Sequence, residues 1–439
     1  MSNRIDYRVT PGGLLRGRVR VPGDKSISHR AVMLGALAEG TTRVSGLLEG
    51  EDVLCTLGAF RAMGVAAEGP QAGRLTLHGV GLHGLKAPDG ALDMGNSGTA
   101  MRLMAGILAG QAFDSTLTGD DSLRRRPMGR VAAPLAAMGA VIETAEGGRP
   151  PLTIRGGRCL QGIDYVMPMA SAQVKSALLL AGLYAEGRTR VTEPAPTRDH
   201  TERMLRGFGY AVETDGPHIA LRGGGELHAC DIDVPADISS AAFFLVGAAI
   251  TPGSDLVLEH VGVNPTRIGV INILKAMGAQ IDVRNGREVG GERVADLHIA
   301  GGPLTGIAIP ADQVPLAIDE FPALFIAAAC AEGETVLAGA EELRVKESDR
   351  IAVMAAGLKA VGADAREAPD GIVIRGGGIR GGTVDSHGDH RIAMAFAMAA
   401  LRSTGPIVIR DCRNVATSFP GFPALAGQAG LGISVAETA

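Results

Sequence analysis

The sequence predicts a mixed α/β chain in which one unit containing both helix and strand is written six times. Three observations lead there: an apolar helical segment recurs six times, each recurrence is followed by the same succession of signals, and the composition supplies an aliphatic, glycine-rich core. The six segments return at a spacing of roughly 70 residues. They begin near His29 (HRAVMLGALAEG), Ala100 (AMRLMAGILAG), Gln173 (QVKSALLLAGLYAEG), Ser239 (SSAAFFLVGAAITPG), Phe321 (FPALFIAAACAEG) and His390 (HRIAMAFAMAALRSTG). Small or aliphatic residues cover nearly every side of each, the pattern of a helix buried all round.

Behind each segment comes a Gly, a short β-branched run and, in most copies, a second amphipathic helix with a glycine stop. TTRVSGLLEGEDVLCTLGAFRAMG, SDLVLEHVGVNPTRIGVINILKAMG and ETVLAGAEELRVKESDRIAVMAAGLKAVG share this grammar, and Gly past the last turn is the usual helix end. Strand-like runs bounded by Gly follow, such as LTIRGG and IVIRGGG. The turns opening the six buried helices read PGDKSISH, MGNSGTA, MASAQ, PADISS, IDEFP and HGDH. A helix start carries unpaired N–H groups and partial positive charge, so such ends, brought together, favour a small polyanion.

Composition bounds the function. A chain of 439 residues is too long for one ordinary core and predicts two large lobes. With 46% hydrophobic and 20% charged residues, it has enough apolar material to fold and no compositional reason for disorder. The net charge of -5 argues against nucleic acid, which is bound through an excess of Lys and Arg. Cys55, Cys159, Cys230, Cys330 and Cys412 are scattered and never form a Cys-x-x-Cys pair, the usage of free thiols in a reducing, cytoplasmic setting. MSNRIDYRVT lacks an apolar run behind a basic start, so no signal peptide is expected, and the apolar stretches near Ala241 and Ile392 fall well short of the ~20 residues of a membrane helix.

Seven stretches carry the candidate site groups. Pro22 to Arg30 (PGDKSISHR) places Lys25, Ser26 and Arg30 in the turn that opens a buried helix. It departs from a P-loop because Asp24 separates Gly23 from Lys25; a solvated surface turn is the bland alternative. In Gly95 to Arg102, Gly98 allows a ligand to approach the backbone. Arg124 to Arg130 is a charge run that reads as a solvated face, except that Arg126 precedes Pro127 and is biased to an extended, aimed conformation. Ser171, with Ala172, Gln173 and Lys175 behind it, is first a helix cap and second a phosphate ligand. Asp319 and Glu320 stand before a buried helix, suited to a general base or to plain capping. In Arg344 to Arg350, helical spacing puts Lys346 and Arg350 on one face beside Glu347, as a site or as a surface salt-bridge ladder. Asp385 to Arg391 alternates His and Asp; a metal is not expected, since no distant ligand partner appears and His390-Arg391 parallels His29-Arg30.

Taken in order, PGDKSISHR, GNSGTAMR, RRRPMGR, ASAQVKSALLLAGL, DEFPALFIAAA, LRVKESDR and GDHRIAMAFA resemble the motif set of the 3-phosphoshikimate 1-carboxyvinyltransferase family, over essentially the whole chain from Pro22 to Phe419. SHR, SAQVKS and RDH are closer to its bacterial class II branch. The resemblance implies a two-lobed inverse α/β barrel of six βαβαββ units, three per lobe, with the active site in the cleft between lobes. One lobe would span 23–240, and the other 1–22 with 241–439.

By the same resemblance Lys25, Asp319 and Glu347 are catalytic. Lys25, Ser26, Arg30, Ser171, Ala172, Gln173, Arg198, Asp319 and Lys346 would hold shikimate 3-phosphate, and Lys25, Gly98, Arg126, Gln173, Arg350 and Arg391 phosphoenolpyruvate. No metal or organic cofactor is implied, and a monomer with no nucleic-acid or membrane partner is expected. Two departures stand out. The segment Ala416 to Pro420 lacks the Lys of class I members, and Gly98 stands where some glyphosate-tolerant class II members have Ala, which predicts glyphosate sensitivity. The rivals are the sister transferase acting on UDP-N-acetylglucosamine, a non-catalytic repeat protein and an RNA-processing enzyme. The first typically has Lys-Asn where Lys25-Ser26 stands, the second is expected to lose one of Lys25, Asp319 or Glu347, and the third sits poorly with an acidic, aromatic-poor chain.

Overall fold

The structure is a computed structural model and describes residues 4–438. Residues 1–3 and 439, which the expected lobes and the expectation about the leader include, lie outside the described residues. The chain divides into two compact units. A central unit comprises Lys25–Val234 with Val289–Gly291, and a terminal unit comprises the chain up to Asp24, Pro235–Glu288 and everything from Glu292 onward. The break expected between 240 and 241 would cut through a helix; the chain instead leaves the central unit at Val234, just before the turn that caps that helix.

The central unit carries helices α1 (Lys25–Leu37), α2 (Glu51–Ala62), α3 (Gly98–Ala109), α4 (Asp121–Arg124), α5 (Gly129–Ala137), α6 (Ala172–Gly182) and α7 (His200–Gly207). The terminal unit carries α8 (Ile238–Ala249), α9 (Gly269–Ala276), α10 (Phe321–Cys330), α11 (Arg350–Ala360), α12 (His390–Ala399) and α13 (Phe422–Ala429). The predicted apolar helices are α1, α3, α6, α8, α10 and α12. In α8 every residue is buried, as burial on all sides demands of a helix with no polar stripe. The accompanying helices α2, α5, α7, α9, α11 and α13 end at Gly64, Gly139, Gly209, Gly278, Gly362 and Gly430, all with positive φ. A side chain would be strained there, which is why the stop is written as glycine each time.

The described residues form six sheets, one for each buried helix. In the central unit, Arg188–Thr192 runs parallel to Asp164–Val166 and antiparallel to His218–Arg222, which pairs in turn with Glu213–Asp215. The last strand of that unit, Ile232–Asp233, returns beside the first, with Ile232 opposite Val44. In the terminal unit, Arg4–Gly13 lies between Ile407–Arg410 and Leu431–Thr438, so the N-terminal strand completes the final sheet. The sheet Glu334–Leu337, Gly371–Arg375, Asp364–Ala368 has three regular strands, its fourth edge reduced to bridges from Thr305 and Ala308. Each unit packs its helices into its own apolar core. The stretches that border Lys25–Val234 are joined backbone to backbone: Asp24 N donates to Pro235 O (2.8 Å) and Asp237 N to Pro22 O (2.9 Å).

Candidate functional site

In the central unit, side chains on the first turns of α1, α3 and α6 tie those helix starts together. Ser97, the cap of α3, accepts from Ala100 N at 3.0 Å. Its hydroxyl also meets His29 Nε2 of α1 at 3.2 Å, while His29 Nδ1 meets Thr56 Oγ1 of α2 at 2.8 Å. From α6, Gln173 donates to Thr99 Oγ1 of α3 (2.9 Å) and accepts from Arg102 Nη1 (2.6 Å). Ser171 caps α6 through Val174 N at 3.4 Å, a long bond. Three positively polarised helix ends are thus gathered with cationic side chains, a setting that favours anions.

Lys25, the first residue of α1, forms an ion pair with Asp52, which opens α2 and is buried. Arg30, 4% exposed, donates from Nε to Thr201 Oγ1 (2.7 Å), from Nη2 to Ser176 Oγ (2.9 Å) and from Nη1 to the carbonyl of Ser26 (2.9 Å). Arg126 donates to Asn96 Oδ1 at 2.6 Å and Ser122 Oγ at 3.2 Å. At Gly98 a Cβ would come within 2.8 Å of Arg102 Nη1 and 3.3 Å of Arg126 Nη1. Glycine is what lets two guanidinium tips converge on the start of α3, a closer approach than the sequence reading of Gly98 implied.

The terminal unit builds a different cluster, centred on Arg350. This side chain is fully buried and donates to three carboxylates: Nε to Asp389 Oδ2 (2.8 Å), Nη1 to Asp319 Oδ1 (3.3 Å) and Nη2 to Glu347 Oε2 (2.6 Å). Lys346 Nζ stands 3.7 Å from Asp319 Oδ1 and 3.2 Å from Glu342 Oε1. Arg391 donates from Nη1 to the carbonyl of Asp319 at 3.0 Å. Asp319 and Glu347 keep 14% and 23% of their side-chain surface exposed, against 1% for Arg350. Two reachable carboxylates are therefore held from beneath by one hidden guanidinium.

Beside this cluster lies a second buried one. Arg267 bonds Asp24, Asp237 Oδ1 (3.2 Å) and Ser239 Oγ (2.6 Å), and Ser239 in turn bonds Glu320. Burial raises the carboxyl of Asp237 to about 6, with the nearby charge of Asp24 adding to the rise and Arg267 opposing it. Asp389 is equally buried yet held below the ordinary carboxylate range: burial acts to raise it, and the ion pair with Arg350 prevails. Burial opposes the charge of Arg267 and Arg350 themselves, but the facing carboxylates outweigh it and keep both guanidinium groups protonated.

Lys25, Ser26, Arg30, Gly98, Arg126, Ser171, Ala172, Gln173 and Arg198 all belong to the central unit, and Asp319, Lys346, Glu347, Arg350 and Arg391 to the terminal unit. Two expectations need correction. Lys346 and Arg350 do not share a helical face: α11 begins at Arg350, capped by Asp349 through Ala352 N (3.0 Å), and Lys346 is extended. They meet through Asp319 instead. Glu320 makes no cap bond to α10, being drawn to Ser239 and Arg267.

Among the described residues no group of three or more His, Cys, Asp and Glu side chains is arranged to hold a metal ion. Arg102, Asn96, Arg267 and the role of Asp389 were missed by the sequence reading. Arg102 stood inside GNSGTAMR, while Arg267 is a single loop cation with nothing local to mark it. A surface hollow of about 410 Å³ lined by Lys275, Asp282 and His298 contains none of the expected site residues.

Residues 9–425 match the family model of EPSP synthase (3-phosphoshikimate 1-carboxyvinyltransferase). A 3-phosphoshikimate 1-carboxyvinyltransferase of Alkalilimnicola ehrlichii is 69% identical over 98% of this chain and 97% of its own length. One of Methylococcus capsulatus is likewise 69% identical over 98% and 99%. Among solved structures, the EPSP synthase of Acinetobacter baumannii is 62% identical and superposes with a TM-score of 0.89 over 99% of this chain and all of that one. The enolpyruvyl transferase NikO of Streptomyces tendae, 17% identical, reaches a TM-score of 0.80 over the full length of both chains, a likeness of fold.

Proposed function

The chain belongs to the EPSP synthase family, and from that membership we propose that it transfers the carboxyvinyl group of phosphoenolpyruvate to the 5-hydroxyl of shikimate 3-phosphate, releasing inorganic phosphate. The observation that carries the reading is the trio of Asp319, Glu347 and Arg350. Adding an alcohol across a vinyl group requires one proton to leave an oxygen and another to arrive at a carbon, and two partly buried carboxylates fixed on one guanidinium supply groups for both transfers.

In this mechanism Asp319 orients the acceptor hydroxyl and takes its proton as the oxygen bonds to C2 of phosphoenolpyruvate. Glu347, with Lys25, delivers a proton to C3, turning the methylene into a methyl. The tetrahedral adduct then returns a methyl proton to Glu347 and expels phosphate, which leaves with the proton held by Asp319, so both acids are reset and the vinyl group is regenerated on the acceptor oxygen. Most of the binding residues belong to the central unit. Lys25, Ser26, Arg30, Ser171, Ala172, Gln173 and Arg198 hold shikimate 3-phosphate, with Lys346 and Asp319 of the terminal unit. Lys25, Gly98, Arg126 and Gln173 hold phosphoenolpyruvate, with Arg350 and Arg391. Planar guanidinium forks suit carboxylate and phosphate alike, and preorganised cations stabilise the developing charge.

The same proposal takes the protein to be a cytoplasmic monomer that is sensitive to glyphosate and binds neither nucleic acid nor membrane. The five cysteines are free thiols, the state a reducing compartment maintains. No helix among the described residues is long and apolar enough to cross a membrane. The test is phosphate release from phosphoenolpyruvate, run in parallel with shikimate 3-phosphate and with UDP-N-acetylglucosamine. Release with the first acceptor alone is expected; release with the sugar nucleotide alone overturns the reading.

A further inference from the structure

Lys175 lies one turn into α6, its amide donating to the carbonyl of the cap residue Ser171 at 3.1 Å. Its side chain is fully buried in a helix whose other buried residues are apolar except for Ser176. A lone ammonium there is costly unless paired, and it is paired twice: Nζ is 3.0 Å from Glu193 Oε2 and 2.7 Å from Glu202 Oε1, both carboxylates themselves buried. None of these three residues has a place in the chemistry described above, so the structure invests three buried charges in something other than proton transfer.

What they hold is visible in the next contacts. Glu193 opens the segment between the strand Arg188–Thr192 and α7, and the same Oε2 that faces Lys175 accepts from Thr197 Oγ1 at 2.7 Å. Thr197 immediately precedes Arg198. Glu202 lies on α7 next to Thr201, whose hydroxyl donates to Ser176 Oγ (2.7 Å) and accepts from Arg30 Nε (2.7 Å). One ammonium thus braces the segment carrying Arg198 on one side and the helix that seats Arg30 on the other, both against the start of α6.

We propose that Lys175 is a positioning residue for the phosphate of the acceptor: through Glu193 and Thr197 it fixes Arg198 relative to Ser171, Ala172 and Gln173. The proposal rests on the reading that Arg198 and the α6 start meet the acceptor phosphate. It separates this network from the phosphoenolpyruvate ligands Gly98 and Arg126, which lie on other elements.

The experiment measures KM for each substrate, kcat and Tm for the wild type and for Thr197→Val, Thr197→Ser and Lys175→Met. Thr197→Val keeps the shape and the buried ion pairs while cutting the tether to the loop. It is expected to raise KM for shikimate 3-phosphate about tenfold, the worth of one charge-assisted hydrogen bond, with KM for phosphoenolpyruvate and Tm unchanged. Thr197→Ser, which restores the hydroxyl, is expected to restore KM. Lys175→Met is expected to shift the same KM further and to lower Tm. An unchanged acceptor KM in Thr197→Val overturns the inference, as does an equal rise in both KM values or failure of Ser to rescue. If wild type itself releases no phosphate with shikimate 3-phosphate, the functional reading fails instead, a result visible before any variant is made.

Discussion

Two sets of site arginines, one in each unit, differ in their partners. In the central unit the hydrogen bonds to Arg30, Arg102 and Arg126 include hydroxyls, amide oxygens and a backbone carbonyl. In the terminal unit Arg267 and Arg350 donate largely to carboxylates. Hydroxyl and carbonyl partners orient a guanidinium fork, the geometry that suits an incoming carboxylate or phosphate. Carboxylate partners cancel the charge, and the arginine becomes a support that fixes where the acids stand. On the function proposed above, the first set serves mainly to bind and the second mainly to fix the acids that move protons.

If that division holds, its most severe disturbance is the loss of a proton carrier. Asp319→Asn keeps size and hydrogen bonding but removes the base, so kcat is expected to fall about 10³-fold, within the range of general acid–base effects, while the dissociation constant of phosphoenolpyruvate stays near wild type. Steady-state kinetics paired with calorimetric titration checks both halves. Next in size is Arg350→Met, which strands buried Asp389 and unseats Glu347. Breaking a buried pair in this way costs about 3–5 kcal/mol, readable by urea unfolding of the variant.

Gly98→Ala disturbs the binding side alone. The added methyl displaces the tips of Arg102 and Arg126, so KM for phosphoenolpyruvate and the inhibition constant for glyphosate are expected to rise roughly tenfold, about 1.4 kcal/mol each, with kcat nearly unchanged. The smallest effect is one of pH. Asp237 is raised to about 6 from an unfolded value of about 3.9, so between these values the folded chain holds a proton that the unfolded chain has lost. Its contribution to stability is present at the acid end and declines as pH rises through that window. Asp389, held low, contributes in the other direction: its stabilisation is present above the unfolded value and is lost as pH falls. Asp237→Asn is expected to make stability fall less steeply between about pH 4 and pH 6, measured by denaturant midpoints across that range.

Much of the fold was legible because its rules are local. A helix apolar on every side has to be buried, so α8 and α10 announced themselves, and a glycine stop at a left-handed position marks its own helix end. The site was legible as motifs, since Lys25, Ser171 and Asp319 each sit beside a helix start. What stayed hidden depends on distant partners. Glu320 reads as a cap until Ser239 and Arg267, far apart in sequence, are brought to it. Arg350 reads as a surface cation because its partner Asp389 lies 39 positions away. Asp237 and Asp389 occupy the same place at two helix starts, and only three-dimensional neighbours raise the pKa of one and lower that of the other.

The division of labour is tested most directly by following deuterium from solvent into the vinyl position of phosphoenolpyruvate in the presence of shikimate 3-phosphate, with Glu347→Gln beside wild type. The account predicts that the variant binds both substrates within about threefold of wild type, under 1 kcal/mol, yet incorporates no deuterium. Incorporation at the wild-type rate would contradict it.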